Sequence, residues 1–364
     1  MEVELRRSPG SDLRERDLHW TRAEDRGMRS DPANPIRNAV LKYGRASMSF
    51  DMFETPESYQ WFPCSCSVDG GIAFRHHYGT DIVIGEPLVE EGKVREAFKE
   101  FLDTRPLGRC VTGFSSPRSF MEAAVDLGAA ALQITVEIEF NPQTWSPKGP
   151  KRAKLRQNVR RLTRLGMKAM EVPTDQPTFH NGFRLGAEEI VSDWLSDAIK
   201  RPAHFHDVNL WSEWQHKRYF ALPDPEEREQ YLALLVARPI FEKNGYYLSA
   251  MRSGRAPIGA NELVIMKAIE VFREEGVEHL AFGPQTQPSP GDFVNGGAMS
   301  RMVLGRLYGM VSKGQGYLNT NRFFKKFGFE QTRGSYMIVW PGRTWLRPML
   351  AVARTVKAFP LLMG

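Results

Sequence analysis

What this chain lacks narrows its class before any motif is read. Three cysteines in 364 residues, Cys64, Cys66 and Cys110, are too few for a disulfide framework. The Cys64/Cys66 pair has neither further thiols nor a neighbouring histidine to complete a zinc site, so a reducing cytoplasm and no bound metal are expected. His204, His206 and His216 do not change that, because no carboxylate or cysteine stands at ligand spacing around them. No run of about 18 uncharged apolar residues is present, which excludes a membrane-spanning helix. The opening MEVELRRSPGSDLRERD carries charge where a signal peptide needs an apolar core. A protein that is cytoplasmic, or peripheral at the inner face of the membrane, is therefore expected. Also missing are a G-x-S-x-G elbow and any cysteine with a histidine and an acid arranged around it, so no covalent nucleophile is signalled.

One further absence is local. Between Lys148 and Lys168 there are nine Lys or Arg and no acidic residue. Leu155, Val159, Leu162 and Leu165 recur there at helical spacing, so a narrow apolar stripe packs while Arg156, Arg160, Arg161 and Arg164 stay in water. Pro150 suits the start of this helix and Gly166 its end. A solvated charged face is the plain interpretation. Without compensating acids, however, a run of one sign repels itself until a polyanion neutralises it, which points to a phosphate-bearing partner. The net charge of +6 is an excess that this one helix accounts for.

The hydrophobic content of 41% is enough for real cores. Residues 1–35 alternate charge with Pro, Gly and Ser and read as a loosely attached arm. Beyond them, strands are expected at Gln60–Ser65, Gly71–Arg75, Asp81–Ile84, Cys110–Phe114 and Ala130–Phe140, with helices at Gly92–Leu102 and Ser119–Leu127. After the basic helix come a strand at Ala169–Val172, a helix at Gly186–Ala198 and a connector at Leu222–Glu226. Strands at Arg238–Glu242 and Tyr246–Arg252, a helix at Asn261–Glu275 and strands at Leu280–Phe282 and Tyr336–Trp340 then repeat the first half in outline. The alternation predicts a mixed α/β fold of two similar units.

Several separated motifs, taken together, resemble the C-terminal catalytic domain of the phosphatidylglycerol lysyltransferases. They are Gly85-Glu86-Pro87, the K-x-x-K-L-R-x-x-x-x-R-x-x-x-x-G pattern from Lys151 to Gly166, and Ser192-Asp193-Trp194-Leu195. In the second half they continue with Met251-Arg252, Ala256-Pro257-Ile258-Gly259 with Glu262, Leu280-Ala281-Phe282-Gly283, and Phe324-Lys325-Lys326-Phe327 with Arg333. The resemblance implies two tandem GNAT-like folds joined by the basic helix, at 36–147 and 236–342, with 148–235 as helix and connector. It also implies transfer of an amino acid from aminoacyl-tRNA, as co-substrate, to a hydroxyl or amine acceptor such as the head group of phosphatidylglycerol. A small soluble metabolite as acceptor, and a non-catalytic RNA- or phospholipid-binding protein, are the alternatives.

Residue chemistry agrees with such a reaction. An aminoacyl ester is already activated, so positioning and proton transfer suffice. Glu262 is the candidate base and Arg252 the candidate oxyanion donor; a first-turn helix acid and a surface cation are the plain alternatives. Lys151, Lys154, Arg156, Arg160, Arg161 and Arg164 are candidate tRNA contacts. Lys325 and Lys326, beside Phe324 and Phe327, are candidates for holding the single-stranded acceptor end, or else for the wet edge of a core helix. Coenzyme A is disfavoured, because Arg255–Ala260 has the wrong spacing for a pyrophosphate loop and Pro257 removes an amide donor. No cofactor is expected. Residues 343–364 read as an amphipathic basic helix, with Trp345, Arg347, Arg354 and Lys357 as candidate contacts to an anionic membrane and packing on the core as the alternative.

Overall fold

The structure is a computed structural model that describes residues 34–175, 182–198, 209–227, 230–287, 289–297, 301–302, 305–306, 323–329, 331–342 and 345–355. Almost all of the expected arm, together with His204, His206 and Lys357, lies outside these residues.

Asn34 starts the first helix, α1 (Pro35–Tyr43): its side chain accepts from the Ile36 and Arg37 amides, and Pro35 occupies a position whose amide needs no partner. After α2 (Ser49–Glu54) come β1 (Gln60–Pro63), β2 (Gly71–His77) and β3 (Thr80–Ile84), which pair antiparallel. Helix α3 (Val94–Asp103) then crosses to β4 (Cys110–Ser116), which lies parallel to β3. Helix α4 (Arg118–Asp126) leads into β5 (Ala130–Phe140), and α5 (Ala153–Arg164), β6 (Met170–Val172) and α6 (Arg184–Ala198) follow.

The second half repeats the plan. Strands β7 (Arg218–Pro223), β8 (Tyr231–Ile240) and β9 (Gly245–Arg252) are antiparallel, and α7 (Ala260–Glu274) crosses to β10 (His279–Thr286), parallel to β9. The short β11 (Phe293–Val294), β12 (Gln331–Trp340) and α8 (Leu346–Thr355) complete the described chain.

The twelve strands of the described residues form one sheet, in the order β1-β2-β3-β4-β12-β5-β10-β9-β8-β7-β6, with β11 also on β5. Strand β12 belongs by chain position to the second half, yet it lies between β4 and β5 of the first and is antiparallel to both. Strand β5 is antiparallel to β10 as well, so the two halves are hydrogen-bonded into one sheet through β5. It follows from these directions that β3 and β4 end at one edge of the sheet while β9 and β10 end at the other.

Alternation along the strands builds cores on both faces. In the first half, Val83, Val111 and Ile338 pack with Phe98, Phe101 and Phe120 of α3 and α4. Their neighbours Ile82, Ile84, Met337 and Val339 pack on the opposite face with α1, α2 and α8. Under the second half, Leu155 and Leu162 of α5 meet Ile265, Ile269 and Phe272 of α7. The halves are also pinned by buried ion pairs, Lys217 to Glu54 at 2.5 Å and Arg238 to Asp51 at 3.2 Å.

Three expectations change. Strand β7 and the first part of β8 fall within 148–235, where only helix and connector are expected, although 224–226 does join the two strands; sequences such as Tyr231–Ile240 are buried on both faces and so lack the alternation that marks a half-wet strand. Leu165 is exposed rather than part of the apolar stripe, and Asn158 takes a buried place on α5 instead. Trp345 is buried against Phe293, with Ala351 and Val352 of α8 in the same core, so α8 closes the sheet and Trp345 is not an outward-facing anchor. Arg347 and Arg354 remain exposed. Trp345→Ala is accordingly expected to lower stability by about 3 to 5 kcal/mol in urea unfolding. Removal of 345–364 should abolish the cooperative transition, and a truncated chain that melts like the full one would contradict this packing.

Candidate functional site

A polar hollow of about 830 Å3 opens where β4, β12 and β5 meet. The pairing is irregular there. Strand β12 shifts register against β4 between Tyr336 and Ile338 and against β5 between Ser335 and Tyr336. Such bulges turn side chains out of the ladder and are common beside active sites. Opposite them Ser115, at the end of β4, has φ of 53°, a left-handed conformation that costs a non-glycine residue energy, and its Oγ lies 3.3 Å from that of Ser335.

Three glutamates are sunk into this cleft. Glu86, from the Gly85-Glu86-Pro87 turn after β3, is 5% exposed and meets Arg45 Nε at 3.0 Å. Arg45 also donates to the Val89 carbonyl at 2.9 Å. Glu139 on β5 is held by Lys243 at 3.2 Å and Arg333 at 3.1 Å. Glu137, two residues earlier on the same strand, has no such direct ion pair among the described residues. Burial raises its carboxyl to about 7; a Ser47 hydrogen bond opposes the rise and the Glu139 charge adds to it. Burial also pushes the Glu86 carboxyl up, against the pull of Arg45. Glu86 Oε2, Glu137 Oε1 and Arg45 Nη2 are buried and have no hydrogen-bond partner among the described residues, so a polar ligand in the cleft would find unspent donors and acceptors. Pro117, Arg118 and Ser119, at the start of α4, line the same hollow and add the positive end of a helix.

The residues expected from sequence fall elsewhere. Glu262 is 3% exposed, accepts from Asn158 Nδ2 at 2.9 Å and pairs with Lys326 Nζ at 2.5 Å. It joins α5, α7 and the Lys326 segment, at the sheet edge opposite the cleft. Arg252 is exposed at the end of β9 and donates to the Ala256 carbonyl at 3.1 Å. Phe327 is fully buried, and the Phe324 ring lies against Phe282 at 4.7 Å between centroids, tilted by 49°, so these rings belong to the core and are not free to stack on bases. Lys325 is exposed.

On the basic helix, Arg156 donates to the Pro147 and Gly149 carbonyls at 2.8 and 2.6 Å, and Arg161 donates to the Ile258 carbonyl. These two fasten loops. Lys154 reaches only Gln157, at 3.2 Å, while Lys151, Arg160 and Arg164 are exposed with no ion pair among the described residues. Sequence reasoning missed Glu137 and Glu139, although a signal existed: Glu137 and Glu139 alternate with Val136 and Ile138 in an otherwise apolar strand.

The site is thus a cleft of carboxyls and guanidinium groups set in a mixed α/β sheet of two similar units. The chain belongs to the phosphatidylglycerol lysyltransferase C-terminal domain family, whose model matches residues 37–312. No curated protein matches it by sequence. Among solved structures it is similar to L-PGS from Bacillus licheniformis, at 20% identity and a TM-score of 0.70, covering 90% of this chain and 97% of that one. It is also similar to the C-terminal domain of a protein assigned as a lysylphosphatidylglycerol synthetase from Agrobacterium fabrum, at 16% identity and a TM-score of 0.67, covering 89% and 95%. FemX shares the fold at 10% identity and a TM-score of 0.51, covering 87% and 96%. No helix of the described residues is long and apolar enough to cross a membrane.

The raised Glu137 carboxyl has a consequence for stability. A carboxyl whose folded-state pKa lies above its unfolded value binds its proton more tightly when folded. Its contribution is therefore fully present below pH 4.5 and is lost as pH rises through about 7. Glu137→Gln should remove that loss, making the variant more stable than the parent at pH 8 by up to about 3 kcal/mol, with little difference near pH 4. Parallel pH profiles of the two proteins in urea unfolding would show that Glu137 is not buried as described.

Proposed function

We propose that this chain transfers an amino acid from charged tRNA to a hydroxyl on the polar head group of an anionic lipid such as phosphatidylglycerol. The observation that carries this reading is Glu137, a half-buried residue whose Oε1 is shut off from water and whose carboxyl is raised to about 7, beside Glu139, Arg45 and Arg333 in a chain of this family. A base whose pKa lies near the working pH is matched to taking a proton from an alcohol.

In the reaction, the acceptor oxygen attacks the aminoacyl carbonyl while Glu137 removes its proton. The start of α4 and Arg118 offer donors to the tetrahedral oxyanion. As the intermediate collapses, the ester bond to the ribose breaks, the proton passes to the departing ribose oxygen, and a new ester remains on the acceptor. Seven carboxylates against four cations line the cleft, which suits the ammonium of an aminoacyl group. Its walls are polar, so it accommodates a head group rather than acyl chains. The tRNA backbone is assigned to Lys151, Lys154, Arg160 and Arg164 on the outer face of α5, with Lys325.

The test incubates the protein with a pool of charged tRNAs and either phosphatidylglycerol or a soluble metabolite extract, and follows label into each acceptor. Transfer to lipid is expected, rising with pH through about 7, with Glu137→Gln lowering the rate roughly 10²- to 10⁴-fold. No ester consumption beyond spontaneous hydrolysis would overturn the reading, and label in the extract alone would move the acceptor to a soluble compound. Replacing Lys151, Arg160 and Arg164 by Gln should leave the fold intact and flatten the salt dependence of tRNA binding by roughly 0.7 to 0.9 log–log units per lost contact. An unchanged slope would remove tRNA from this helix.

A further inference from the structure

The loop from Cys64 to Gly70, between β1 and β2, holds two of the three cysteines, and the proposed reaction uses neither. Cys64 is buried in the core with Phe98 and Phe101 of α3, and Cys66 is half-buried against the same core. A third donor arrives from α3. The Sγ atoms of Cys64 and Cys66 and a carboxylate oxygen of the half-buried Glu100 all lie within 4.8 Å of one another. Sequence spacing hides this set, because Glu100 is brought to the thiols by the packing of α3 on the sheet.

The carboxylate is aimed there by the residue between the two cysteines. The Ser65 amide donates to Glu100 Oε1 and Oε2 at 3.0 and 2.9 Å, and the Ser65 hydroxyl donates to Oε2 at 3.1 Å. Carboxylates that bind metals are held in this way, by hydrogen bonds that fix the group and leave it free to act as a ligand. Around a tetrahedral zinc ion, bonds of about 2.3 Å to sulfur and about 2.0 Å to oxygen put neighbouring ligand atoms roughly 3.5 to 3.8 Å apart, so the set closes by up to about 1 Å of side-chain rotation. Two thiols favour zinc over magnesium or calcium, which take oxygen donors. A disulfide is the competing use of the pair. Burial pushes the Cys64 thiol up to about 12, and burial raises the Cys66 thiol as well. Thiols held protonated are poor nucleophiles for disulfide exchange, whereas a bound metal draws the proton off directly.

We propose that Cys64, Cys66 and Glu100 bind Zn2+, with water in the fourth position, and that the ion clamps the β1–β2 loop to α3. The clamp reaches the transfer cleft through the backbone. The Cys64 amide donates to the Gly70 carbonyl at 3.1 Å, and the next residue, Gly71, exchanges amide-to-carbonyl bonds of 3.0 and 2.8 Å with Leu88, two residues beyond Glu86. The far side of the loop is tied down by Tyr43, whose hydroxyl donates to the Val68 carbonyl at 2.8 Å. An ion on the thiols therefore steadies the segment that carries Glu86 without entering the cleft.

The test treats the full, reduced chain with a chelator and titrates it with Co2+, whose charge-transfer absorption reports thiolate ligands, and then with Zn2+. One equivalent of Co2+ carrying that absorption, bleached as Zn2+ displaces it, is expected, together with a thermal midpoint that rises by a few degrees on adding Zn2+. Cys66→Ser should lower the absorption per bound ion by about half, since one of two thiolates is gone, and weaken binding at least about 100-fold. Glu100→Gln keeps an acceptor for Ser65 and should weaken binding by about 10- to 100-fold with the absorption per ion unchanged. Melts of the metal-free variants are expected to match that of the metal-free parent, which separates loss of a ligand from loss of the fold. Absence of the absorption, affinity that survives Cys66→Ser, affinity untouched by Glu100→Gln, or a thermal midpoint indifferent to Zn2+ would each overturn the proposal. So would closure of a Cys64–Cys66 disulfide by glutathione disulfide as readily with Zn2+ as without it. The readout needs no catalysis, so its failure is distinct from failure of the transfer reading.

Discussion

The backbone pairing of β5 is the constraint on which the rest depends. Its eleven residues take β12 on one side and β10 on the other, with β11 beyond, so two units that repeat the same strand and helix plan are fused through one strand. A shift of β5 by one residue would turn Glu137 and Glu139 to the opposite face and bring Val136 and Ile138 into their place. The ladder therefore fixes both the join between halves and the side on which the carboxyls converge. The intrusion of β12 adds the arginine that holds Glu139, so the cleft exists only when the last strand has found its place in the first half.

Charge is distributed to separate ends. Acids are gathered in the central cleft, where burial keeps one of them near neutrality. The basic segment carries Lys151, Lys154, Arg160 and Arg164 outward, while Arg152, Arg156 and Arg161 donate to backbone carbonyls and fasten loops. Glu262 shows how a residue suited to catalysis by type can serve architecture: with Asn158 and Lys326 both on its Oε1, it ties three segments together.

Much of the secondary structure was legible, because amphipathic helices and strands with one wet face leave a period in the sequence. The reading of β5 at Ala130–Phe140 coincides with the observed strand. What escaped did so for physical reasons. Strands β7 and β8 are buried on both sides and lack a period, and the insertion of β12 is a long-range choice with no local signature. Glu86 stood within a recognised motif, but Glu137 and Glu139 are two letters in an apolar strand. Their meaning comes from the neighbours that fold around them. The basic helix was visible by charge alone, although which cations face water was decided by loop carbonyls distant in sequence.

The proposed reaction requires the aminoacyl group to bind in the cleft between β4, β12 and β5. The direct measurement is a crystal structure with a stable amide analogue of 3′-aminoacyl adenosine. The aminoacyl carbonyl is expected within hydrogen-bonding distance of the start of α4, with the orphaned oxygens of Glu86 and Glu137 newly partnered. An analogue seated instead beside Arg252 and Glu262, with the cleft unchanged, would contradict it.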